Sequence, residues 1–283
     1  FIDEVAVYGR ALNTTELRCL MRAGAAGKIP QLADCVFPTD SVVSWWRGES
    51  NALDSVSSNH GVFGTIDQAY TDGQVGLAFE TDIRRYVQIH FPTNLNVGAG
   101  SGFTVEGWIN PRLVSRGSIF GWMDPFPIVG SRYGVSLDYN SLAFGNLRAN
   151  LITTNNVSLI VSTPGGIIRT GEWHHIALSY DRASGIASIY VNGSAVIFTN
   201  IGSYALDTTG NFLLGWNGNG NYFTGGLDEF AVHNRALSPL EIAAIARATN
   251  GRCAGIGPTI VQQPISLWVN QGSNVIFHVE AVG

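Results

Sequence analysis

The residues best placed to do chemistry are two acidic pairs, Asp3–Glu4 and Asp228–Glu229, each inside a short apolar run, FIDEVAV and GLDEFAV. Both runs read as strands. Adjacent side chains on a strand point to opposite faces, which argues against either pair flanking one scissile bond as general acid and base. Alternation instead puts Asp228 on the face of Phe230 and Val232 and turns Glu229 toward solvent. A carboxylate at the rim of an apolar face needs a partner, because burying it alone is costly. A hard cation such as Ca²⁺ would serve. Asp54, in the loop NALDSVSSNHG, is then the expected second ligand, with backbone carbonyls near Asn59 and His60 completing the shell. A backbone amide or Arg235 is the alternative partner for Asp228.

Other reactive types are poorly arranged for catalysis. His174 and His175 are neighbours and should diverge on a strand, which suits packing and a hydrogen bond better than metal ligation. No serine or cysteine has a His or Asp partner at a recognisable spacing, and G-x-S-x-G is absent. Aromatic residues near turns offer binding chemistry instead. Trp122, Tyr133, Trp216 and Tyr222 lie in or beside loop-like sequence, with Arg132, Asn217 and Asn219 close by as polar contacts. Their rings could stack on a sugar or pack internally. The run GWMDPFPIVG, residues 121–130, reads as a Pro-rich loop insertion. Trp45, Trp46, Trp108 and Trp173 fall in strands and are expected in the core or on a sheet face.

The elements that must position these residues are short strands and turns. The 283 residues include 34 Gly, are 45% hydrophobic and only 13% charged, a texture that suits an all-β fold. Strands are expected at 42–47, 103–111, 133–137, 173–181, 186–191, 211–214 and 226–233, with a primed hairpin turn at Asn192–Gly193. One helix follows: Ser238 as cap, Pro239 at the first helical position and Glu241 three residues after the cap. Ile242, Ile245 and Ala246 give it an apolar stripe.

The strand-plus-helix unit occurs twice. Asp3, Glu4, Ala6, Val7, Arg10, Ala11 and Leu12 match Asp228, Glu229, Ala231, Val232, Arg235, Ala236 and Leu237. Residues 1–28 are therefore expected to be the end of a preceding copy, although they could also add a strand and helix to the central unit. Residues 29–41 and 250–257 read as linkers around a complete domain at 42–249. Residues 258–283 resemble the first two strands of an immunoglobulin-like sandwich.

Four blocks carry a family resemblance: VVSWWRGESNALDSVSSNHGVF (42–63), FTVEGWINP (103–111), WHHIALSYDRASGIASIYVNG (173–193) and GLDEFAVHNRALSPLEI (226–242). In this order they resemble laminin-G-like, concanavalin A-like domains. The resemblance implies an antiparallel two-sheet jelly-roll sandwich with a short C-terminal helix and its chain ends close together. It also implies a structural calcium near the Asp228 strand. With the ends adjacent, Cys35 and Cys253 could form a disulfide, and Cys19 could take either partner. The E-x-D-x-x-E strand of laminarinase-type relatives is absent; Glu80-Thr81-Asp82 lacks the third acid.

The net charge of −5, without a basic block, disfavours nucleic acid as a partner. No apolar stretch reaches the length of a membrane span. The expectation is a non-catalytic carbohydrate-binding or adhesion module of a secreted or surface repeat protein, with a glycan or an extracellular-matrix or cell-surface ligand. An accessory domain of a glycoside hydrolase and a structural spacer are the alternatives.

Overall fold

The computed structural model describes residues 40–64, 68–113, 116–123, 133–140, 145–218, 220–248, 259–262 and 280–282. Two antiparallel sheets face each other. The first holds β1 (Val42–Trp46), β3 (Tyr70–Asp72), β4 (Leu77–Thr81), β6 (Gly102–Pro111), β11 (His174–Asp181), β12 (Ile186–Val191), β13 (Ser194–Asn200) and β15 (Gly225–His233). Its order is β13-β12-β11-β6-β15-β4-β3, with β1 also paired to β15. The second holds β2 (Val62–Phe63), β5 (Val87–Ile89), β7 (Arg116–Met123), β8 (Tyr133–Asn140), β9 (Asn146–Ile152), β10 (Ser158–Ser162) and β14 (Asn211–Leu214), in the order β10-β9-β8-β7-β14-β5-β2. This is the expected two-sheet sandwich.

Alternation builds the core. Phe103, Val105 and Ile109 of β6, Phe120 and Trp122 of β7, Val135 and Leu137 of β8 and Phe212 and Leu214 of β14 all join one buried cluster between the sheets. Trp46 stacks on Phe212 at 5.3 Å, and Trp122 packs on the same ring at 4.8 Å. The expected strands are present with shifted ends, whereas β7 replaces the start of the loop read at 121–130. Its glycines obscured the pattern: Gly117 and Gly121 approach neighbouring backbone and side chains too closely for a Cβ.

The β12–β13 turn has positive φ at Asn192 (49°) and Gly193 (80°), the primed geometry that Asn-Gly predicts. Helix α1 (Pro239–Arg247) starts with the expected capping box: Glu241 N donates to Ser238 Oγ and Ser238 N donates to Glu241 Oε2. Ile242 and Ile245 pack with Leu237 on Ala177 and Tyr190, on the outer face of the first sheet. Strands β16 (Thr259–Gln262) and β17 (Glu280–Val282) form a separate antiparallel pair. The repeat at 1–28, the linker at 29–39 and the three cysteines lie outside the described residues, as do Arg132 and Asn219.

Candidate functional site

Strand β15 changes partner midway. Gly225–Leu227 pair with β4, while Phe230–His233 pair with β1. Its register against β6 slips between Asp228 and Ala231, and Glu229 sits in the left-handed region at φ 55°. This is a β-bulge with a non-glycine residue at the strained position. The extra residue changes the phase of the strand. Leu227, Phe230 and Val232 all join the core cluster, so Asp228 does not share a face with Phe230 as alternation predicted. Glu229 is not solvent-facing either: it is 2% exposed and accepts a hydrogen bond from Trp45 Nε1 at 3.1 Å.

Asp228 is fully buried. Its Oδ2 accepts from Val75 N at 2.9 Å, while Oδ1 makes no hydrogen bond of good geometry. Burial pushes its carboxyl up to about 7, against the pull of the Val75 and Gln74 amides and with Glu49 repelling the charged form. A Cβ on Gly73 would stand 2.7 Å from Asp228 Oδ2 and 2.9 Å from Val75 O, so glycine leaves a small oxygen-lined cradle open there. Glu49 approaches the same turn, accepting from Leu77 N at 3.3 Å. Arg235 is occupied elsewhere, gripping Glu241 with two nitrogens at 3.0 and 2.6 Å.

Asp54 serves its own loop. Oδ1 accepts from Trp45 N and Val56 N, both at 3.0 Å; Oδ2 accepts from Ser57 Oγ at 2.5 Å and Asn59 N at 3.3 Å. Burial would raise its pKa, but these hydrogen bonds win and hold it below the usual value. Asn59 Nδ2 donates to Ser44 Oγ and Ser57 Oγ, and its carbonyl takes Trp46 Nε1. The partners of Asp54 and those of Asp228 have no residue in common. Among the described residues, no group of three or more His, Cys, Asp or Glu side chains forms a metal cage.

A buried polar row crosses the outer face of the first sheet. His175 Nε2 lies 2.9 Å from Glu106 Oε2, His233 Nε2 lies 3.6 Å from Glu106 Oε1, and Ser41 Oγ lies 3.2 Å from His233 Nδ1. Burial drives both imidazoles down to about 3, so they are neutral near pH 7. His174 turns away from its neighbour and accepts from Arg169 N at 3.1 Å. Glu106, hidden in the apolar block FTVEGWINP, escaped the sequence reading; its only signal was a lone acid amid core residues.

The outer face of the second sheet carries the aromatic residues. Trp216 and Tyr222 stack at 5.6 Å and 6°, and Tyr86 leans on Trp216 at 4.4 Å. They cover the outward side chains Met123 and Leu213. The two tyrosines are half-buried, whereas Trp216 is only 6% exposed. Asn217 closes the turn beneath them, its Oδ1 accepting from Asn221 N at 3.0 Å. Tyr133, 39% exposed, opens β8 opposite Met123. Trp122 does not belong to this group: alternation on β7 sends it inward, and at 0% exposure it cannot stack on a ligand. Two shallow hollows, of about 560 and 440 Å³, are lined by other residues, Asp82–Arg85 with Gln68 and Ala69, and the β11–β12 edge beside α1.

An antiparallel two-sheet sandwich with an aromatic patch on one outer face defines a class that comparison narrows. The profile of the concanavalin A-like lectin/glucanase superfamily matches residues 82–243, more than half of the chain. The chain belongs to that superfamily. No curated protein matches the sequence. Among solved structures, domain 4 of AbnA, a GH43 extracellular arabinanase from Geobacillus stearothermophilus in complex with arabinotriose, is similar at 19% identity and TM-score 0.56, covering 73% of this chain and 98% of that one. The binding domain of Paraclostridial mosquitocidal protein 1 is similar at 18% identity and TM-score 0.57, covering 73% and 52%. The botulinum neurotoxin type G receptor-binding domain follows at 14% and 0.54, covering 74% and 51%. This chain thus spans about half the length of the two toxin domains. At these identities the likeness establishes the fold alone.

Proposed function

We propose that the domain is a non-catalytic glycan-binding module of a secreted or cell-surface protein, and that it binds through the outer face of its seven-stranded sheet. The observation that carries this reading is the Tyr86–Trp216–Tyr222 cluster. Two half-buried phenol rings offer their remaining apolar surface to a sugar, and the indole packed against both holds them in place. Tyr133 and Asn217 flank the cluster, with Arg132 next to Tyr133 in sequence. The acids Glu106, Asp228 and Glu229 are closed to solvent, which speaks against hydrolysis. The arabinotriose complex of the arabinanase domain favours glycans as the ligand class, and an accessory role beside a hydrolase as a second reading.

A glycan array followed by calorimetry tests it. Tyr222→Ala is expected to weaken binding at least tenfold and to lower the melting temperature less than Trp216→Ala, which removes a buried ring. An array on which no glycan binds would leave the spacer reading standing.

The cation expected from the sequence belongs, in this reading, at Asp228 rather than at Asp54 and Asn59, whose polar groups are already engaged. Asp228 and Glu49, with carbonyls of the turn at 73–76, would hold Ca²⁺ and offset the cost of the buried charge. Chelator is expected to lower the melting temperature of the wild type and to leave Asp228→Asn unmoved. An unchanged wild type would refute the site.

A further inference from the structure

Phe91 is costly to the fold on three counts. It stands just past the end of β5 with φ 41°, in the left-handed region, where a bulky side chain is strained. It precedes Pro92, and a residue before proline favours extended backbone, which this φ violates. Its side chain is 66% exposed, so no burial in the core offsets the strain. Val87 and Ile89 point into the core, and alternation would send Phe91 after them. The left-handed turn leaves its ring in solvent instead. Buried Asn211 fixes that turn, its Oδ1 accepting from Phe91 N at 2.8 Å. Asparagine or glycine would hold the same backbone with less strain. A strained residue whose exposed ring stabilises nothing in the fold points to a ligand that uses it.

The surroundings restrict the ligand. Tyr86, Gln88 and His90 alternate with the core residues Val87 and Ile89, which puts them on the outer face that carries the tyrosine cluster. Val62 lies opposite Gln88 in register on the same face and is 48% exposed. His90 is exposed. Its Nδ1 lies 3.3 Å from Gln88 Nε2, and its Nε2 makes no hydrogen bond among the described residues. Phe91 thus ends a row that begins at the cluster and holds no Asp, Glu, Lys or Arg. A row of rings, apolar surface and neutral hydrogen-bonding groups suits an uncharged chain with apolar faces and hydroxyls, which describes a neutral oligosaccharide.

Resting on the reading of this face as glycan-binding, we propose that Phe91 and His90 form a second contact point, which grips the far end of a neutral oligosaccharide running along β5 from the tyrosines. The Phe91 ring stacks on the apolar face of one sugar, and His90 Nε2 hydrogen-bonds to a hydroxyl beside it. Five residue steps separate Tyr86 from Phe91, a span of at most about 17 Å, which a single sugar cannot bridge. The face therefore selects for chain length.

Titrations of the whole chain with arabino-, xylo- and cello-oligosaccharides of two and of six sugars test the proposal. Phe91→Asn is expected to lose about tenfold in affinity for whichever six-sugar ligand binds, the worth of one aromatic contact, and to keep its affinity for the two-sugar ligand. The same variant should melt at a higher temperature, because asparagine relieves the strain. Phe91→Tyr should bind both lengths as the wild type does, and Tyr222→Ala should weaken both. If Phe91→Asn keeps the six-sugar affinity while Tyr222→Ala loses it, the second contact is wrong and the platform stands. If Phe91→Asn melts lower and weakens both lengths equally, the ring serves the fold and the second contact is wrong again. If neither length binds, or Tyr222→Ala changes nothing, the platform reading falls and the second contact with it.

Discussion

Glu229 holds two features that conflict. Its backbone is in the left-handed region, where a side chain is strained, yet its carboxylate caps the buried Trp45 indole. Glu229→Ala is expected to lose about 1–3 kcal/mol in urea denaturation, because a buried donor loses its acceptor. Glu229→Gly loses the same bond but relaxes the backbone, so it should be the milder variant by about 1 kcal/mol. Equal losses would mean that the φ of 55° carries no strain. Residue types made Asp228 and Glu229 legible as important. Their environment was not legible, because a two-residue periodicity has no means of announcing a bulge. The bulge follows from β15 leaving β4 for β1, which is a property of three strands far apart in sequence. Asp54 illustrates the reverse case. The loop motif was legible, but the four hydrogen bonds that its carboxylate accepts within the loop were not.

At the scale of elements, local chemistry was the most readable. The capping box of α1 and the Asn192–Gly193 turn depend on residues within four positions of each other, so the sequence contains all the information they need. Ser238→Ala is expected to cost about 1 kcal/mol, seen as a lower melting temperature. The effect should exceed that of an exposed substitution such as Leu240→Ala, whose side chain is 68% exposed. Strand β7 was less readable. Two glycines break its pattern, and their reason is steric: Gly117 lies against the Phe223 backbone, and Gly121 lies under Met123 and Ser136. Trp122 was placed on the wrong side for the same reason. Once β7 exists, alternation gives Trp122 to the core and Met123 to the tyrosine cluster.

For the whole molecule, the Ser41–His233–Glu106–His175 row sets an acid limit. The folded state holds both imidazoles down to about 3, against an ordinary value of 6.5, because burial penalises their charged forms. Between those values the unfolded chain binds more protons than the folded one. The stability these histidines contribute is therefore complete above about pH 6.5 and drains away as pH falls toward 3. The groups facing them are Glu106, Arg235 and Glu241. Thermal melts from pH 8 to pH 4 are expected to show this slope, and His233→Gln should flatten it. A melting temperature constant down to pH 4 would contradict it.

The sequence by itself determined the fold class, the helix and its cap, and most strands of the first sheet. Each follows from composition, alternation or a contact between near neighbours. The tertiary structure alone decided which side chains face one another across strands. It buried Glu229, gave Asp54 and Asp228 different hydrogen-bond partners, withdrew Trp122, and gathered Tyr86, Trp216 and Tyr222 into one cluster. Such alignments depend on strand order and register, which are set by packing between segments tens of residues apart and leave no mark in any short window of sequence.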